Sequence, residues 1–198
     1  LQPFDGGSHR AVRGQIERHS RHDWTWITRP GRAWRWRMRM GALDAMADAE
    51  RARTDGLRPN LLFTTSMANA AEWRATLPRG WRDLPLATYM HENQAAYPAG
   101  QGTSDRDRDR DAHLIITQLA SCLAADRILW NSVWNRDSFL DGLDRVLRHH
   151  PERAGSRHDV QDAVREHSEV VWPPTDAPEA RPSRVRSPDG WCRVVWPH

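Results

Sequence analysis

The stretch LPLATYMHENQAAYP, Leu84 to Pro98, sets a short apolar run directly against four polar residues, His91, Glu92, Asn93 and Gln94. Leu84 to Met90 is too short for a helix and has the length of a strand buried in a covered parallel sheet. In open α/β sheets the ligand crevice lies beyond the carboxyl ends of the strands, where these four side chains fall. Three other segments end the same way. Leu1 to Phe4 stops at Asp5-Gly6-Gly7-Ser8-His9, Asn60 to Thr65 stops at Ser66 and Asn69, and Arg127 to Trp130 stops at Asn131-Ser132.

Around these strands the apolar residues take a helical period. A helix from about Ser8 to His19, with Ser8 as N-cap, precedes a strand at Trp24 to Thr28 closed by Pro30-Gly31. WRWRMRM, Trp34 to Met40, alternates aromatic and basic residues ahead of a helix through Arg53, whose expected core face is Met40, Leu43, Met46 and Ala47. That alternation suits nucleic acid, with Arg on phosphate and Trp stacked on a base, and suits equally a loop whose Trp side chains enter the core. Asn69 and Glu72 form a capping box for a helix to Leu77. A helix at Ala112 to Ala124 carries Ile115, Leu119 and Cys122 on one stripe, and Ser132 caps a helix to about Arg148 with Phe139 or Leu140, Leu143 and Val146 or Leu147 inward. A weak helix near Asp159 to Glu166 and a strand at Glu169 to Trp172 follow. Strand and helix alternate throughout, which predicts an α/β fold: a Rossmann-like, mostly parallel sheet with helices on both faces.

Composition bounds the rest. The chain has 198 residues, 38% hydrophobic, with eleven Trp and a net charge of only +3. That is enough for one good core, and the pI near 9.5 describes a mixed surface more than one cationic field. All 29 basic positions are Arg, which reads as a coding bias. No long apolar run or signal peptide is seen, and Cys122 and Cys192 read as buried free thiols, so a cytoplasmic location is expected. The Asp-Arg alternation from Asp105 to Asp111 reads as a solvated low-complexity loop. Asp176 to Asp189 reads as a linker, and Trp191 to Trp196 as a strand opening a further domain.

No GxGxxG, no Lys-bearing P-loop and no GxSxG occurs, and the spacing of His9, Glu17, His19 and His22 fits no zinc site, so hydride transfer, P-loop chemistry, serine hydrolysis and a metal are poorly supported. What the strand ends do offer is backbone N–H groups at Gly6-Gly7 for an anion, and His9, His91 and Asn131 as donors to phosphate or sugar hydroxyls.

FDGGSH at 4 to 9, WRWRMR at 34 to 39, LLFTTSMANAAEW at 61 to 73, MHENQAAYP at 90 to 98 and LASCLAADRILWNSVWNRDSFL at 119 to 140 together resemble the amino-terminal half of the tRNA-queuosine alpha-mannosyltransferase family, which is similar to glycosyltransferase family 4. The resemblance implies the amino-terminal half of a GT-B glycosyltransferase: residues 1 to 175 an acceptor-side domain, 176 to 190 a linker, and 191 to 198 the first strand of a donor-binding domain. It implies retaining transfer of mannose from GDP-mannose to queuosine in tRNA, without metal or other cofactor, and little turnover by these residues alone. Gly6, Gly7, His9 and Asn131 would border the donor and His91 the transferred sugar. Glu92, Asn93, Gln94 and Asn135 would line the cleft, with Trp36, Arg37 and Arg39 toward the acceptor. A different small-molecule or lipid-linked acceptor, or a non-catalytic RNA-binding module, are the alternatives.

Overall fold

The computed structural model describes residues 1 to 96, 105 to 148 and 156 to 176, without the side chains of 105 to 111 and 156 to 158. In chain order the elements are β1 (Gln2–Asp5), α1 (Gly7–His19), β2 (Thr28–Pro30), α2 (Trp34–Thr54), β3 (Leu62–Thr65), α3 (Ala70–Thr76), β4 (Leu86–Met90), α4 (Asp105–Ala124), β5 (Arg127–Trp130), α5 (Val133–Leu147), α6 (Ser156–Glu166) and β6 (Ser168–Val170). The linker and the strand expected at 191 to 198 lie outside the described residues, Asp176 apart.

Every strand pair is parallel. β1 pairs with β2, and β3, β4, β5 and β6 follow one another in a four-stranded sheet, with Leu62 opposite Leu86 and Met90 opposite Trp130. The Leu1 amino group donates to the Phe63 carbonyl and Thr65 Oγ1 to Gln2 Oε1, which sets β1 beside β3. The chain thus steps one way from β1 to β2 and the other way thereafter. Right-handed crossovers then place α1 on one face and the later helices on the other, where α2 packs on α3, α3 on α4, and α4 on α5 and α6. This is the expected Rossmann-like architecture, and its chain reversal lies between β1 and β3.

The core is the sheet face of Leu62, Leu86, Met90, Ile128 and Trp130 under Trp73, Ile115, Leu119, Phe139 and Leu143, all buried. Cys122 is buried there as a free thiol, and burial pushes it up to about 12. Asn69 and Ser132 cap α3 and α5 through Glu72 N and Asn135 N, each at 3.1 Å.

Five expectations are corrected. WRWRMR is not ahead of α2 but forms its first two turns. The buried face of α2 is Met38, Gly41, Ala42, Ala45 and Ala49, while Met40, Leu43 and Met46 face solvent. The reason is close packing: a Cβ on Gly41 would sit 2.6 Å from Pro3 Cβ, so β1 admits only small residues there. The Asp105 to Asp111 run is the backbone of the first turns of α4, not a loop. Gly6, not Ser8, is the N-cap of α1, and the strand expected at Trp24 to Thr28 lies instead at Thr28–Pro30, an edge position that tolerates proline.

Candidate functional site

The carboxyl ends of β1, β3, β4 and β5 share one rim. From β1 the chain turns through Gly6, whose backbone is extended, and Gly7, whose φ of 51° is a left-handed value that glycine adopts without strain. The turn is backed by β2, since a Cβ on Gly31 would lie 2.6 Å from the Gly6 Cα. α1 starts here, and its first-turn amides, those of Gly7 and Ser8 among them, have no carbonyl in the helix to bond. Asp5 fixes the turn from behind. Its carboxylate takes a two-pronged bond from Arg13, 3.0 Å from Nε and 3.1 Å from Nη2, while its carbonyl accepts from Arg10 at 2.9 Å.

Over this turn stand the histidines. His9, only 4% exposed, lies with Nε2 2.8 Å from Glu92 Oε2 and Nδ1 2.7 Å from His91 Nε2. A carboxylate only accepts, so His9 Nε2 carries hydrogen. His9 Nδ1 and His91 Nε2 share one hydrogen between them. His91 Nδ1 is buried with no hydrogen-bond partner. Desolvation, then the neighbouring His9, lower His91 from 6.5 to about 3 against the weaker pull of Glu92 and the Tyr89 carbonyl, so the ring is neutral at physiological pH. Phe4 meets His9 edge-on at 5.2 Å and Tyr89 stacks on His91 at 5.7 Å, completing the walls.

The amides of the rim are largely committed to the protein. Asn131 Nδ2 donates to the His91 carbonyl at 3.0 Å, and Asn135 Nδ2 donates to the Met90 carbonyl at 2.6 Å and to Asn131 Oδ1 at 2.8 Å. Asn93 donates to the Asn135 carbonyl at 3.1 Å and to Ser138 Oγ at 3.2 Å, and its Oδ1 accepts from Ala96 N at 2.7 Å, which winds Gln94–Ala96 into a single 3-10 turn. Asn93 and Asn135 are buried. They hold the end of β4 in place, and Gln94 and Glu92 stay partly exposed. Gln118 was not singled out from the sequence, yet it is fully buried and bonds Gln94 N at 2.8 Å, the Ser66 carbonyl at 3.1 Å and the Glu92 carbonyl at 3.2 Å. Its signal was a polar residue inside the apolar stripe of Ile115, Leu119 and Cys122.

The acceptor-side candidates stand apart, at the start of α2 beyond β2. Trp36 is exposed, Arg37 reaches Asp44 at 3.2 Å, and Arg39 is partly buried. Among the described residues no group of three His, Cys, Asp or Glu side chains is arranged to hold a metal ion, and no helix is long and apolar enough to cross a membrane.

Residues 1 to 175 match the family model described as tRNA-queuosine alpha-mannosyltransferase N-terminal. A curated relative from Drosophila melanogaster named tRNA-queuosine alpha-mannosyltransferase is 28% identical over 211 residues, covering 100% of this chain and 52% of its own length, so the chain spans about half of that relative. No solved structure matches. The chain belongs to the tRNA-queuosine alpha-mannosyltransferase N-terminal family.

Proposed function

We propose that this chain is the acceptor-side half of a GT-B mannosyltransferase that moves mannose, with retention, from GDP-mannose to queuosine in tRNA. Residues 1 to 175 form its first Rossmann-like domain, 176 to 190 a linker and 191 to 198 the first strand of the donor-binding domain. The observation that carries this reading is the meeting of Gly6-Gly7, His9, His91 and Glu92 on one rim, in a chain whose family is named for that transfer.

The chemistry suits the rim. When the bond between sugar and diphosphate breaks, the electron pair leaves with the diphosphate, and the first-turn amides of α1 at Gly7 and Ser8 meet that growing negative charge. His91 is neutral, and its partly exposed ring faces the sugar. Glu92 and His9 hold that ring in place. A second domain facing the rim supplies the grip on the nucleotide, so the residues described here have little turnover alone. The site works without a metal, and the protein acts in the cytoplasm, where tRNA and nucleotide sugar are both present.

The test is a longer form of the protein, carrying sequence beyond His198, incubated with GDP-mannose and queuosine-containing tRNA. Nuclease digestion and mass spectrometry should show queuosine heavier by one hexose. Unmodified queuosine, or equal transfer to tRNA lacking it, counts against the reading.

A further inference from the structure

Among the described residues, the three most exposed large apolar side chains are tryptophans, Trp36 at 67%, Trp134 at 69% and Trp172 at 68%. All three stand at the carboxyl rim. Trp36 lies in the first turn of α2 just beyond β2, Trp134 in the first turn of α5 just beyond β5, and Trp172 two residues past β6. On α2, Trp36 is on the side opposite Met38, Ala42, Ala45 and Ala49, so it points away from the core. Exposing an indole forgoes the burial that stabilises it in a folded chain. Three such exposures at the carboxyl ends of neighbouring parallel strands mark a contact surface.

Its charge says which kind. From Arg29 to Leu43 the chain has five arginines and no acidic residue. Arg29 is engaged by Asp48 and Arg37 by Asp44. Among the described residues Arg32, Arg35 and Arg39 form no ion pair, and the Arg35 guanidinium already lies over the Trp34 ring, 4.5 Å from its centroid. Flat aromatic faces beside uncompensated guanidinium groups match unpaired bases and the phosphates between them. They do not match a duplex, whose bases are stacked on one another and offer no face.

We propose that this rim is a stacking platform for a single-stranded RNA loop, with Trp36, Trp134 and Trp172 taking splayed bases and Arg32, Arg35 and Arg39 their phosphates. The two-stranded sheet β2, β1 stands beside the four-stranded sheet β3, β4, β5, β6, so five steps of about 4.8 Å separate the outer strands, roughly 24 Å in all. His9 and His91, at β1 and β4, lie between the tryptophans at the two ends. A loop laid along the rim therefore brings one extruded nucleoside over the histidines while its neighbours stack on either side. The inference rests on the transferase reading for what happens at the histidines, and on the tryptophans alone for the binding.

The experiment measures binding of the 198-residue chain to three RNAs: a stem with an unpaired seven-nucleotide loop, the same loop as a linear strand, and a blunt duplex of equal length. The loop and strand should bind with affinity that falls steeply with salt, and the duplex much more weakly. Trp36→Ala, Trp134→Ala and Trp172→Ala should each weaken loop binding roughly ten- to a hundredfold with unchanged circular dichroism. Duplex binding as tight as loop binding, or three variants that bind like the parent, overturns the proposal. So does a tryptophan-dependent self-association seen by sedimentation without RNA affinity, which would assign the rim to a second copy. Loop binding without sugar transfer by the longer protein would sink only the transferase reading; transfer untouched by the triple variant would sink only the platform.

Discussion

His91 Nε2 lies 2.7 Å from His9 Nδ1, joining two residues 82 positions apart across the ends of β1 and β4. Because Glu92 accepts from the far side of His9, the three groups form a row in which each ring's tautomer is set by its neighbour. Nitrogen-15 NMR of the imidazoles should find His91 neutral, in a single tautomer with one bare nitrogen. Glu92→Ala removes the acceptor that fixes the row, and a mixture of His91 tautomers is the expected outcome.

The lowered pKa of His91 has a sign. The folded ring stays neutral down to about pH 3, whereas the unfolded ring takes a proton near 6.5. Below 6.5 the unfolded state therefore binds a proton that the folded state refuses. Its contribution to stability is whole above about 6.5 and is lost as the pH falls toward 3. Urea unfolding should show the parent losing stability across this window, and His91→Asn should have a flatter profile there.

Asn135 is expected to behave as a structural residue. Its amide donates to the Met90 carbonyl and to Asn131 Oδ1, and Asn135→Ala leaves that carbonyl with the Asn131 N–H alone, at 3.2 Å, and takes a donor from Asn131 Oδ1. A loss of about 2 kcal/mol is expected. Denaturant midpoints report it, alongside Gln94→Ala, whose side chain is partly exposed and whose loss should be slight.

At the opposite end of the sheet, Asp126 accepts from Leu86 N at 2.8 Å and Arg74 at 3.1 Å, and these bonds, the backbone one foremost, hold its carboxyl below the usual 3.8. The carboxylate is mostly solvated, so Asp126→Ala should cost only about 1 kcal/mol. A depressed folded pKa means that this stabilisation is present above about 3.8 and disappears as the pH falls through the folded value. The gap between parent and variant should close in acid.

Much of this was readable in the chain. Strands β3, β4 and β5 are short apolar runs ending in polar residues, and Asn69 and Ser132 declare their helices because a side-chain oxygen before an apolar period is a local signal. The inner face of α2 is not legible in the chain, because amphipathic patterns reward large residues. Here Pro3 against Gly41 demands small ones, so alanines form the inner face and Met40, Leu43 and Met46 the outer. The Asp-Arg run was ambiguous for another reason: opposite charges three apart suit a helix as readily as a solvated loop. The polar strand ends could be seen to converge on one rim. That His9 sits between His91 and Glu92 could not, since it depends on strand order and on how far α1 rises above Gly6.

Gly31→Ala tests how closely the rim depends on its backing. The new Cβ would sit 2.6 Å from the Gly6 Cα, so the turn must move or the strands part. A loss of about 1–3 kcal/mol is expected, with shifted NMR signals for His9 and His91.

The central claim is that the rim bearing His9 and His91 faces the sugar being transferred. It is tested most directly by comparing kcat/KM for mannose transfer to queuosine tRNA between the longer form of the protein and its His91→Ala variant, with folding checked by circular dichroism. A fall of about a hundredfold is predicted. An unchanged kcat/KM in a folded variant would contradict it.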